Sequence, residues 1–177
     1  MTISKTIPIY HLELVDDKKI SYQDMSEVES AAKIFHEMFD RSPVEEMAVI
    51  HLGINNQFLG VQRVGIGNLV SVSCHPSEIL RGALIARAHK IIVGHNHPMG
   101  TSKPSNQDIL FTKNLVTTAA YVGLEVWDHI VVAPDGTHTS IYNAAHAPQY
   151  PKLDMPTFTE YLKRFEFLPF PYNFKDK

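Results

Sequence analysis

Short strands interleaved with helices predict an α/β protein, with a central mixed sheet and helices packed against it. Three observations carry this expectation. Residues 26–39 and the segment from Ser105 onward have helical character, whereas 46–53, 57–64 and 126–133 alternate or run apolar over strand lengths. The run Lys90 to Gly94 (KIIVG) is a short apolar segment ending in a loop, as expected of a buried strand. Turn residues punctuate the chain between these segments.

Taken in order, residues 7–15 (IPIYHLELV) alternate well enough for a strand, and Asp16-Asp17-Lys18-Lys19 marks a turn. Ser26 opens a helix whose Ala31, Ile34, Phe35 and Met38 form one stripe, and Pro43 closes that element. Strands 46–53 and 57–64 are expected to form a hairpin across Asn55-Asn56. The loop Gly65 to Asn68 lacks the third glycine and the following helix of a nucleotide-binding turn. A short strand is expected at 70–74. Pro76 then starts a helix running to about His89, with Glu78 placed against the positive end of its dipole. After KIIVG and a loop from His95 to Pro104, a long helix starts beyond Ser105. Strands 126–133 and 137–142 close the fold around Pro134-Asp135-Gly136.

The chain thus divides into a strand and helix over 1–42, a main domain over 43–145, and an extension over 146–177. The extension holds five of the eleven prolines. Its Phe158, Tyr161, Leu162 and Phe165 fall at helical spacing, forming an apolar face that packs on the domain or meets a partner.

Composition narrows the function classes. The 177 residues are 44% hydrophobic, enough to bury a core without disulfides or a structural metal, so a metal here is expected to serve chemistry. The net charge is -3 and the basic residues are scattered, which disfavours a nucleic-acid groove. One cysteine, Cys74, fits a reducing compartment. Met1 to Ile9 lacks the apolar run of a signal peptide, and no stretch nears the roughly 18 apolar residues of a membrane span. A cytoplasmic location without membrane contact is expected.

Chemistry concentrates in His95-Asn96-His97-Pro98-Met99-Gly100-Thr101-Ser102-Lys103-Pro104-Ser105-Asn106-Gln107-Asp108. Two histidines one residue apart at a strand end point to the same side, because strand side chains alternate. The Pro/Gly-rich loop can return the chain so that Asp108, one turn into the next helix, adds a carboxylate. Two nitrogens and an oxygen suit zinc and leave one tetrahedral position open. That position suits a water whose pKa the metal lowers to about 7. Ser105 to Asp108 also reads as a capping box, a purely structural role for both ends of the motif. The remaining histidines without ligand-like neighbours, His51 among them, are expected to be surface or satisfied polar residues.

His95-x-His97-Pro98-x-Gly100 with Pro104-Ser105-x-x-Asp108 resembles the JAMM signature of JAB/MPN metalloproteases, and the His-Asn-His-Pro form resembles the RadC branch. His75-Pro76-x-Glu78, Asp128-His129 and Ser140 extend the resemblance, which covers about residues 43–142. It implies a cytidine-deaminase-like α/β/α sandwich and zinc-dependent cleavage of amide or isopeptide bonds in a peptide or isopeptide-linked protein. His95, His97 and Asp108 would be the ligands, and Ser105 would steady the oxyanion. An upstream glutamate would take the proton of the attacking water. Glu45 fits the RadC spacing and is favoured. Glu46 is the alternative, and on opposite faces of a strand only one of them can serve. The resemblance also leaves open a catalytically silent scaffold for a protein partner, a DNA-repair or mobile-element role, and a homodimer. Residues 1–42 lack the helix-hairpin-helix segment common in RadC proteins, and Met99 replaces a small polar residue.

Overall fold

The computed structural model describes residues 28–67 and 74–141. The elements are α1 (Val28–Met38), β1 (Glu46–Leu52), β2 (Phe58–Ile66), α2 (Pro76–Ile85), β3 (Lys90–Asn96), α3 (Asn106–Tyr121), β4 (Glu125–Val132) and β5 (His138–Ser140). The expected strands at 7–15 and at most of 70–74, and the whole 146–177 extension, lie outside the described residues.

The five strands form one mixed sheet in the order β2-β1-β3-β4-β5, in which only β3 and β4 run parallel. Helix α3 makes the crossover between those two, as a parallel pair requires. Alternation along β1 and β3 splits the core into two layers. Met47, Val49, Ile91 and Val93 pack with α2 and α3 through Ile79, Ala83, Leu115 and Ala119. Ala48, Ile50, Leu52 and Ile92 pack with α1 through Ala31, Ala32, Ile34 and Phe35. The result is the expected α/β/α sandwich. Phe35 lies directly over the backbone of β3, and a Cβ added at Gly94 would run into its ring.

Local chemistry sets the element ends. His75 caps α2, its Nδ1 accepting the Ser77 backbone N–H at 3.2 Å. Helix α2 stops at Ile85, short of the expected His89. Arg87 adopts a left-handed conformation (φ 54°) there, and Ala88 and Arg87 donate back to the carbonyls of Ala83 and Leu84. This pattern satisfies the last carbonyls and ends the helix. Gly123 (φ 75°) closes α3 in the same way, with Leu124 donating to Ala119. The β1–β2 turn is wider than a two-residue loop. It spans Gly53 to Gln57, which are joined by a 2.9 Å backbone bond, and Asn56 supplies the positive φ.

Strand β4 carries a bulge. Ile91 pairs with Val126, but Ile92 pairs with Asp128, so Trp127 is the extra residue. Val126 lies in the α2/α3 layer, whereas Ile130, four residues on, lies in the α1 layer. A regular strand would place both on one face. The inserted residue reverses the parity and turns His129 toward α3.

Candidate metal centre

The β3 strand runs two residues past the expected Gly94, so His95 is part of the ladder, opposite Met47 on β1 and Val131 on β4. His95 shares the face of Ile91 and Val93, which α3 covers. The backbone N–H of His97 donates to Val132 at 2.9 Å and prolongs the strand, keeping His97 on the same side. The following loop is tied down at two points. His97 Nδ1 bonds the Thr101 carbonyl at 2.8 Å, and buried Ser102 accepts the hydroxyls of Thr137 and Thr139, each at 3.0 Å. Ser105 then caps α3 and delivers Asp108 in its first turn.

His95, His97 and Asp108 converge, with one ligand atom from each within 4.8 Å of the others. The two Nε2 atoms are 3.1 Å apart, and they lie 3.4 and 3.5 Å from the Asp108 carboxylate oxygens. Bonds of about 2.0–2.1 Å at tetrahedral angles would separate donor atoms by about 3.3 Å, so the set has the size of a zinc-like cage. Burial alone would raise the pKa of Asp108, but the two imidazoles and Ser105 outweigh it and hold the carboxyl well below the usual range. Asp108 is therefore an ionised acceptor. The His97 ring is held above its ordinary pKa, chiefly by its bond to Asp108, with Glu45 adding to the field.

Asp108 belongs to the helix cap and to the cluster at once. It completes the capping box with Ser105 while facing the two histidines. Ser105 donates through both its N–H and its Oγ–H to Asp108 Oδ2, each at 2.7 Å. The hydroxyl expected to steady an oxyanion is thus engaged by the carboxylate.

The two glutamates part ways. Glu46 is buried on the α1 side, 2.9 Å from Arg63 Nε, and accepts the Ser42 hydroxyl at 2.6 Å. Glu45 has the parity of Met47, on the side of His95 and α3, and is half-buried within electrostatic reach of His97. Between the two histidines, Asn96 faces the other way and grips the β1 entrance. Its Oδ1 accepts the Glu46 N–H at 2.6 Å and its Nδ2 donates to the Val44 carbonyl at 3.1 Å, fixing the backbone on both sides of Glu45. Nothing in the residue pattern singled out Asn96 for that task.

Behind His95 lies a second layer. His95 Nδ1 is 2.8 Å from His129 Nε2, and His129 Nδ1 is 2.6 Å from Thr112 Oγ1. Thr112 in turn donates to the Asp108 carbonyl at 2.6 Å. All three side chains are buried. Burial, then the neighbouring His95, push the His129 pKa well below its ordinary value, so its ring is neutral. Asp128-His129 was legible only as a family match. Thr112 carried no signal at all.

The sequence matches the family described as RadC-like JAB domain over residues 25–146, a span that begins upstream of α1. Among curated proteins, it is 38% identical over 97 residues to a UPF0758 protein of Moorella thermoacetica, covering 55% of this chain and 42% of that one. A UPF0758 protein of Gloeothece citriformis is 33% identical over 114 residues, covering 64% and 46%. One from Symbiobacterium thermophilum is 39% identical over 93 residues, covering 52% and 40%. The chain spans less than half the length of each of these three.

Proposed function

The chain belongs to the RadC-like JAB domain family, and on that premise we propose that it is a zinc-dependent hydrolase of amide or isopeptide bonds. The observation that carries the reading is the convergence of His95, His97 and Asp108 at the spacing of a three-ligand site. Zinc held there would act as a Lewis acid, making water nucleophilic near neutral pH and polarising the substrate carbonyl.

The protein's own groups supply the rest. Glu45, on the same face as the ligands, accepts the proton of the attacking water and returns it to the leaving nitrogen. Asn96 holds the peptide groups flanking Glu45, so the carboxylate starts from a fixed backbone. Ser105 orients Asp108 through two hydrogen bonds. Its hydroxyl can serve a developing oxyanion only by leaving that carboxylate. The expected substrate is an extended peptide or an isopeptide-linked protein.

The test joins metal content to activity. Purified protein is analysed for zinc and incubated with a peptide library and isopeptide-linked conjugates, with products read by mass spectrometry. Wild type is expected to hold one zinc per chain and cleave; His97→Ala should lose both. Retention of both by the variant, or the absence of stoichiometric zinc in wild type, overturns the proposal.

A further inference from the structure

Only the Nε2 atom of His95 faces His97 and Asp108. To bind an ion there, the ring must carry its proton on Nδ1. We propose that Thr112 and His129 are positioning residues that impose this tautomer, leaving the Nε2 lone pair bare for a metal ion. The inference rests on the metal-binding part of the reading above and not on hydrolysis.

The bonds have one polarity. A threonine hydroxyl has a single proton, and that of Thr112 goes to the Asp108 carbonyl, which has none to give back. Toward His129 the same oxygen can only accept, so His129 bears its proton on Nδ1. His129 is fully buried with no carboxylate on either ring nitrogen, so it is neutral, and a neutral imidazole protonated there has a bare Nε2. His129 Nε2 lies 2.8 Å from His95 Nδ1, which must then be the donor. His95 Nε2 is left unprotonated.

His97 reaches the same state by a separate route. Its Nδ1 faces the Thr101 carbonyl, an acceptor, so a neutral ring carries its proton on that side. With both rings neutral, their two lone pairs, 3.1 Å apart, face an ionised carboxylate. Three acceptors in such proximity repel one another unless a cation joins them. The relay also ties helix to sheet, because Thr112 bonds the backbone of the residue that supplies the third ligand. It depends on the Trp127 bulge, which turns His129 to this face.

Thr112→Val removes the acceptor at nearly constant volume, and Thr112→Ser restores it. Two measurements separate a directional role from mere packing. Nitrogen-15 spectra of labelled histidines in the metal-free protein, at mildly alkaline pH, report which ring nitrogen carries the proton. Chelator competition gives the affinities for Zn2+ and Co2+. Wild type and Thr112→Ser are expected to show His95 protonated on Nδ1 and to bind alike. Thr112→Val should shift the His95 proton toward Nε2 and bind about 10–100-fold more weakly, with His97 unchanged. Should Thr112→Val fail to fold, Thr112→Ala is measured in its place. Valine or alanine variants that bind within twofold of wild type overturn the proposal, as does wild-type His95 protonated on Nε2. Neither readout uses a substrate, so failure to find hydrolysis leaves this test intact. A wild type that binds neither ion overturns the zinc reading, while the spectra still judge the tautomer.

Discussion

Glu45 and Glu46 are neighbours in the chain at the entrance of β1, and their surroundings differ. Glu46 meets Arg63 and Ser42 on the α1 side, while Glu45 lies within electrostatic reach of His97. Glu45→Gln is expected to keep full zinc occupancy and lose about 10²–10⁴-fold in kcat, the usual worth of a general base. Glu46→Gln should instead lower stability by about 1 kcal/mol through its weakened contacts. Steady-state kinetics with metal analysis and urea unfolding of both variants distinguish the two. His51 offers a pH test away from the site. Burial lowers its pKa to about 4, and its Nε2 finds no partner among the described residues. The unfolded chain takes up this proton near pH 6.5, but the folded one resists until about 4. Stability from this group is thus intact above pH 6.5, falls between 6.5 and about 4, and is level below. Its span is roughly 3 kcal/mol. Urea midpoints at pH 7.5 and pH 5 should differ for wild type, and the difference should shrink in His51→Phe. An equal difference in both proteins would assign the pH dependence elsewhere.

Among elements, the packing of α1 on β3 leaves no room for a side chain at residue 94. Phe35 occupies the space a side chain at Gly94 would need, and Gly94 immediately precedes the first metal-ligand candidate. Gly94→Ala is expected to cost about 1–3 kcal/mol by overpacking. Phe35→Leu should offset part of that loss when combined with it, giving a non-additive pair in a double-mutant cycle. Additive losses would show that the ring and the strand backbone are not coupled. Helix α3 works differently. Its capping box and its contribution to the site are the same atoms, so ordering the helix start also orders the carboxylate.

At the scale of the whole molecule, the three ligand candidates join β3, the loop after it and α3, elements that meet only once the sandwich has formed. An ion held by all three binds the folded chain and not the unfolded one. Zinc at 100 times its Kd should therefore stabilise the protein by about 2.7 kcal/mol. A chelator titration followed by thermal unfolding should show that gain in wild type and none in His97→Ala. Equal midpoints with and without zinc would mean that the three groups do not act as one site. Among the described residues, no helix is long and apolar enough to cross a membrane.

The sequence by itself determined whatever depends on neighbours within a few residues. The 2-residue alternation put His95 and His97 on one side, the helix signals at Ser105 located Asp108, and the apolar runs gave a mixed sheet between helices. Register and layer packing decided the rest. The sequence put Glu45 and Glu46 on opposite faces, but only the pairing of β1 with β3 shows which face carries the ligand candidates. Asn96 reaches residues 44 and 46 across fifty positions of chain. His129 meets His95 because Trp127 is inserted in β4, a change of parity that a hydrophobic pattern does not reveal. Bonds of that kind are set by which strands lie side by side, and strand order is a property of the assembled sheet.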